Sequence, residues 1–120
     1  MTLPRVRLRI VLADGKTIGP GKADLLAAIE ELGSIAAAGR AMHMSYQRAW
    51  SLVEDLNGAF TQPLVAASRG GSNRGGATLT ETGRTILDRY RLVERVATER
   101  CAEALAEIGS FAKNAATDIT

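Results

Sequence analysis

Ser45, Tyr46, Gln47, Arg48 and Ser51 place five hydrogen-bonding side chains within seven residues. Glutamine and arginine can each present paired groups to the edge of a base, and hydroxyls can reach phosphate oxygens. This is chemistry of recognition rather than of bond-making. The chain has one histidine, His43, and one cysteine, Cys101, and neither has a partner visible in the sequence. No pair of carboxylates marks a pocket, so the chain reads as a non-enzyme with no catalytic residue, cofactor or metal site.

Presenting those side chains requires a helix with a buried back. Ser45 is placed to cap one, and Ala49, Leu52, Val53 and Leu56 form an inward stripe at helical spacing. Gln47, Arg48 and Ser51 then project from the other side, near the helix N-terminus. The preceding residues, GSIAAAGRAMHM, read as a shorter helix with Ile35, Ala38, Ala41 and Met42 on one small, apolar face. Small residues let the second helix cross closely and leave its polar face free. That is the design of a DNA-binding helix-turn-helix. Arg40, on the first helix of the pair, is a candidate phosphate contact. His43 falls in the turn between the helices and reads as a turn or surface residue.

Upstream, RVRLRIVL over residues 5–12 alternates, with Val6, Leu8, Ile10 and Leu12 on one face and Arg5, Arg7 and Arg9 on the other. Asp14-Gly15 signals a hairpin, with Lys16-Thr17-Ile18 as the return strand. The arginine face either touches phosphates or solvates one side of a small sheet. After Gly19-Pro20-Gly21, KADLLAAIEEL reads as a scaffold helix with Leu25, Leu26, Ile29 and Leu32 inward. Gly33 closes it and Ser34 opens the next.

Downstream, Asn57-Gly58 stops the helical period. A strand is expected at Leu64-Val65-Ala66-Ala67 and another at Ala77-Thr78-Leu79, around a glycine-rich tip, Gly70 to Gly76. Two strands with a cationic tip just behind a helix-turn-helix read as a wing, with Arg69 and Arg74 reaching phosphates or the minor groove. A nucleotide-cradling loop is excluded, since the glycines neither end in Gly-Lys-Ser/Thr nor open onto a helix. Trp50 lies beside the apolar stripe and is expected to pack on the wing or sheet, with stacking on a base as the alternative. For Tyr46 a contact to phosphate and one to a base edge are both open.

Thr80-Glu81 caps a last helix expected to run unbroken from about 81 to 109. Ile86, Tyr90, Val93, Ala97, Cys101, Ala104 and Ile108 recur at spacings of 4, 3, 4, 4, 3 and 4. This stripe exceeds what one small domain covers, which predicts a homodimer through Ile86, Tyr90, Val93, Ala97, Ala104 and Ile108. The alternative is that the helix folds back on the N-terminal sheet and leaves a monomer. Cys101, mid-stripe, reads as a small core residue.

With 120 residues, 46% of them hydrophobic, one globular domain is expected. We read residues 1–80 as the winged core, 81–110 as a linker and dimerisation helix, and 111–120 as a flexible tail. A net charge of +2 leaves the case for an anionic partner to the placement of the arginines. The single cysteine excludes an intrachain disulfide, no apolar run suits a membrane, and charges interrupt the N-terminus as they do not in a signal peptide. A cytoplasmic setting follows.

Gly33-Ser34-Ile35, Met44-Ser45-Tyr46-Gln47-Arg48-Ala49-Trp50, Leu56-Asn57, the glycine-rich wing and Leu79-Thr80-Glu81-Thr82-Gly83 together resemble the N-terminal DNA-binding domain of ModE-type molybdate-responsive regulators. More distantly, the small-residue helix and the Leu-Thr-x-x-Gly segment resemble LysR-type regulators. The resemblance covers about residues 18–95. It implies a mainly α winged helix with a small β component, a helix from Ser45 in the major groove, and dimerisation through a long C-terminal helix. Members carry C-terminal oxyanion-binding modules to which no residues here correspond. The expected function is sequence-specific binding of double-stranded DNA at a palindromic operator. The rival is a protein-interaction module on the same scaffold.

Overall fold

The computed structural model describes residues 4–68 and 76–113. Arg69, Arg74 and most of the glycine-rich tip lie outside the described residues, as does the end of the expected tail.

The chain begins with a short hairpin, β1 (Ile10–Val11) and β2 (Thr17–Ile18), paired antiparallel with Ile10 opposite Ile18. The turn works as its residues dictate. Gly15 sits at φ +89°, and the Asp14 carboxylate accepts from the Lys16 amide at 3.1 Å. The expected strand over residues 5–12 pairs only at its end. Its alternation survives as burial: Val6, Leu8, Ile10 and Leu12 are half-buried, while Arg5, Arg7 and Arg9 are exposed.

Helix α1 (Pro20–Leu32) starts two residues earlier than KADLL suggested, because proline suits a first helical turn, where no N–H is needed. Leu25, Leu26 and Ile29 are fully buried, whereas Leu32, expected inward, is half exposed at the helix end. Gly33 terminates α1 at φ +79°, its N–H donating to Ile29 O. Ser34 Oγ then accepts from Ala37 N at 2.9 Å to start α2 (Ile35–Ala41). Ala41, expected on the inner face of α2, is exposed.

Helix α3 (Tyr46–Ala59) runs through Asn57-Gly58 rather than stopping there. Strands β3 (Val65–Ser68) and β4 (Gly76–Leu79) pair antiparallel, Val65 opposite Leu79. The Ala77 amide also donates to Gly33 O at 2.9 Å, tying β4 to the junction of α1 and α2. Helix α4 (Glu81–Arg100) follows, capped by Thr80 Oγ1 accepting from Gly83 N at 2.9 Å. The core gathers residues of α1, α2, α3, both wing strands and the first half of α4.

The last helix departs from expectation in three ways. It breaks at Cys101 (φ −105°, ψ 20°), and α5 (Ala102–Ser110) continues separately. No proline or glycine marks the break, and nothing in the structure explains it. Cys101 is exposed rather than packed. Tyr90, expected on a dimer stripe, is 1% exposed and donates to Leu8 O at 2.6 Å. The start of the stripe is thus covered by the chain's own N-terminal segment rather than left free for a second copy. Val93, Val96 and Ile108 stay exposed.

Burial, reinforced by the nearby Glu94 charge, holds the Tyr90 phenol above the ordinary tyrosine pKa. Folding therefore favours the neutral phenol. Its contribution is intact below about pH 10, the unfolded value, and drains away as pH rises through the folded one. Urea unfolding at rising alkaline pH should show this loss in the parent. It should be smaller in Tyr90→Phe, which has no proton to lose.

Candidate nucleic-acid interface

The turn between α2 and α3 is built from backbone. Met44 N donates to Gly39 O at 2.9 Å and His43 N to Arg40 O at 3.1 Å. His43 bends the chain at φ +59°, the one positive φ outside glycine among the described residues, and its side chain is exposed. Gly39 is buried where the helices cross. A Cβ there would stand 3.2 Å from the Ala49 Cβ and 3.5 Å from Met44 O. The small-residue helix thus does what its composition suggested: it lets α3 come close.

Ser45 caps α3, its Oγ accepting from Arg48 N at 3.0 Å. Ala49, Leu52, Val53 and Leu56 are buried, and Tyr46, Gln47, Arg48, Trp50 and Ser51 are exposed. At about 100° per residue, Gln47 and Ser51 run down the middle of the open face. Arg48 lies toward one flank and Tyr46 and Trp50 toward the other. Ser45 and Arg40 are also exposed, Arg40 in the last turn of α2.

Two residues outside the predicted site bear on this face. Glu54, one turn beyond Ser51 on the same side, is exposed and brings a carboxylate to it. Its spacing from Gln47 (seven residues) and Ser51 (three) was readable in advance. The other is Asn57, whose Oδ1 accepts from Leu64 N at 2.8 Å and Val65 N at 3.0 Å while Nδ2 donates to Val65 O at 3.1 Å. One side chain of α3 therefore holds the first strand of the wing. Trp50 shares a cleft with Val65, Ala67 and Ala77 of the wing, and its indole N–H donates to Tyr46 Oη.

Among the described residues no three or more His, Cys, Asp or Glu side chains are grouped to hold a metal ion. No helix among them is long and apolar enough to cross a membrane.

A close-packed helix-turn-helix, with a two-stranded wing bound to its second helix and a long helix following, defines a winged helix-turn-helix domain. The family described as bacterial regulatory helix-turn-helix protein, lysR family, matches residues 22–84, and the chain belongs to it. That membership makes it a regulatory helix-turn-helix domain by class. The chain is also 35% identical over 113 residues to the molybdenum transport protein ModE of Azotobacter vinelandii, covering 90% of this chain and 42% of the relative. It is 38% identical over 92 residues to the molybdenum-pterin-binding protein MopA of Rhodobacter capsulatus, with coverages of 77% and 35%. To the transcriptional regulator ModE of Haemophilus influenzae it is 36% identical over 90 residues, with coverages of 75% and 35%. It thus spans well under half the length of these relatives. Among solved structures, the CbnR_DBD–DNA complex matches with a TM-score of 0.58 at 22% identity, covering 73% of this chain and 95% of that one. A likeness at that identity concerns the fold.

Proposed function

We propose that this domain binds double-stranded DNA sequence-specifically, as a homodimer on a palindromic operator, with the N-terminal part of α3 in the major groove. The observation that carries the reading is the exposed polar face of α3, buttressed behind by α2 and at its far end by the wing. In this assignment Gln47, Arg48 and Ser51 read base edges, Ser45 and Tyr46 meet the backbone, Arg40 contacts a phosphate from α2, and Arg69 and Arg74 anchor the wing. The second copy packs on the exposed part of α4 and α5, where Val93, Val96 and Ile108 lie open. Since Gly83, Leu87 and Tyr90 are buried in the core, we place the boundary between reader and dimerisation helix after Tyr90 rather than at residue 80. The names of the relatives connect them with molybdenum, and we infer an operator before genes of molybdenum handling. A cytoplasmic location accords with this role.

Selection of bound sites from random duplexes, with and without molybdate, tests the reading. A selected site whose affinity falls steeply with salt supports it. Salt-insensitive or absent binding favours the protein-interaction module, for which the same exposed apolar side chains would be the contact. Arg48→Ala should lose about 1–3 kcal/mol on the selected site and relax one base preference. Arg40→Ala should instead weaken all sequences alike and lower the salt slope by about one. Two variants that bind like the parent would overturn these assignments. Sedimentation at micromolar concentration checks the dimer.

A further inference from the structure

The protein has two tyrosines, and they use their hydroxyl protons differently. Tyr90 is buried and donates to Leu8 O. Tyr46 is 52% exposed and accepts a hydrogen bond from the indole N–H of Trp50, which is itself 40% exposed. The two rings meet edge to face, with centroids 6.4 Å apart and planes at 88°. Both line a cleft of about 170 Å³ between α3 and the wing, walled by Ile35, Val53, Val65 and Ala67. The indole sits on the wing side of α3, with its N–H directed along the helix to Tyr46.

Hydrogen-bond inventory then decides what Tyr46 can do. An indole N–H only donates, and a phenol has one hydrogen and its lone pairs. With a lone pair of Oη engaged by Trp50, the phenolic hydrogen must point elsewhere, and no group among the described residues accepts it. Donation from the indole also polarises the O–H and makes it a better donor.

We propose that Trp50 is a positioning residue: it fixes Tyr46 as a hydrogen-bond donor to a DNA phosphate oxygen at the start of α3. This rests on the DNA-binding reading and narrows one of its contacts. A phosphate is an acceptor-only partner, and tyrosine hydroxyls are among the groups that register a protein on the DNA backbone. Trp50 touches no DNA in this arrangement and acts through Tyr46.

The test uses the full chain, its selected duplex and a random duplex. Tyr46→Phe and Trp50→Phe should each lose on the order of tenfold in affinity, as for a hydrogen bond to a charged group. The double variant should lose no more than either single one, because both remove the same contact. The loss should be equal on both duplexes, as for a phosphate contact, and a loss confined to the selected duplex would overturn the phosphate as acceptor. The salt slope should not change, since a neutral hydroxyl displaces no counterion. Additive losses would show Trp50 contacting DNA on its own and overturn the inference. So would a Trp50→Phe variant that binds like the parent while Tyr46→Phe does not.

Should Trp50→Phe fail to fold, Tyr46→Phe carries the test by a second measurement. The chain's single tryptophan gives one indole N–H proton resonance. It should shift on DNA addition in the parent and stay in place in Tyr46→Phe; a parent resonance that DNA leaves unmoved overturns the inference. A parent that binds no duplex at all overturns the DNA-binding reading itself, and this inference with it.

Discussion

Gly83→Ala is expected to lose about 3 kcal/mol or more of folding stability, by overpacking and by breaking a backbone hydrogen bond. Gly83 lies in the first turn of α4, and a Cβ there would stand 2.1 Å from Leu64 O and 3.0 Å from its carbonyl carbon. A methyl group cannot occupy that space, and backbone rather than a flexible side chain would have to yield. The same carbonyl accepts from Thr80 N at 2.9 Å, and Thr80 Oγ1 donates to Pro63 O at 2.7 Å. The start of α4 thus rests directly on the chain entering the wing, and moving Leu64 away breaks the Thr80 bond as well. For a domain of this size the melting temperature should fall by roughly 10 °C. Gly58→Ala is the control: Gly58 is exposed in α3, and a Cβ added there would meet nothing within 4 Å. Alanine at that position should be neutral or stabilise by up to about 1 kcal/mol. Equal melting temperatures for the two variants would show that α4 does not sit on Leu64.

Gly83 shows where the sequence is readable and where it is not. The Leu-Thr-x-x-Gly segment stands out by resemblance, and Thr80 by its cap chemistry. The reason for the glycine is a backbone nineteen residues away, which no local pattern displays. Elements are legible where a single segment decides them. Ser34, Ser45 and Thr80 cap the helices they are expected to cap, and Gly33 ends α1 with positive φ. The inward stripe of α3 is buried as its spacing requires. Periodicity cannot say which surface covers a stripe. Tyr90 and Val93 lie on the same face of α4, yet Tyr90 is covered by the chain's own N-terminal segment and Val93 by nothing described. For the site, the sequence brings Tyr46, Gln47, Arg48 and Ser51 to one exposed side of a helix, because a cap and a stripe orient it. Glu54 escapes notice there because cap chemistry marks only the first turn of a helix. Arg69 and Arg74 remain assignments made from composition alone.

Asn57 reads in the sequence as a stop signal, and its replacement should have the second large effect. Its side chain supplies two acceptor bonds and one donor bond to Leu64 and Val65, residues that are 0% and 6% exposed. Asn57→Ala would leave two amides and a carbonyl of buried residues without these partners, at about 1–3 kcal/mol for each group that water does not reach. Since Asn57 is only half-buried, some water would enter, and a net loss of about 3 kcal/mol is expected. Asn57→Asp should fall between parent and alanine, because a carboxylate still accepts from both amides but meets Val65 O with an oxygen instead of a donor. The loss should be local before it is global. Amide hydrogen exchange at Leu64 and Val65 should quicken by orders of magnitude in Asn57→Ala, while the amides of α1 slow or quicken only with overall stability. Unchanged protection at Leu64 and Val65 would mean that the wing is held by other contacts. If the exchange quickens as expected, DNA binding should suffer in a particular way. The face of α3 stays intact, but the wing no longer has a fixed position relative to it. Contacts from the two would then have to be ordered at the moment of binding, which weakens affinity without changing which bases α3 prefers.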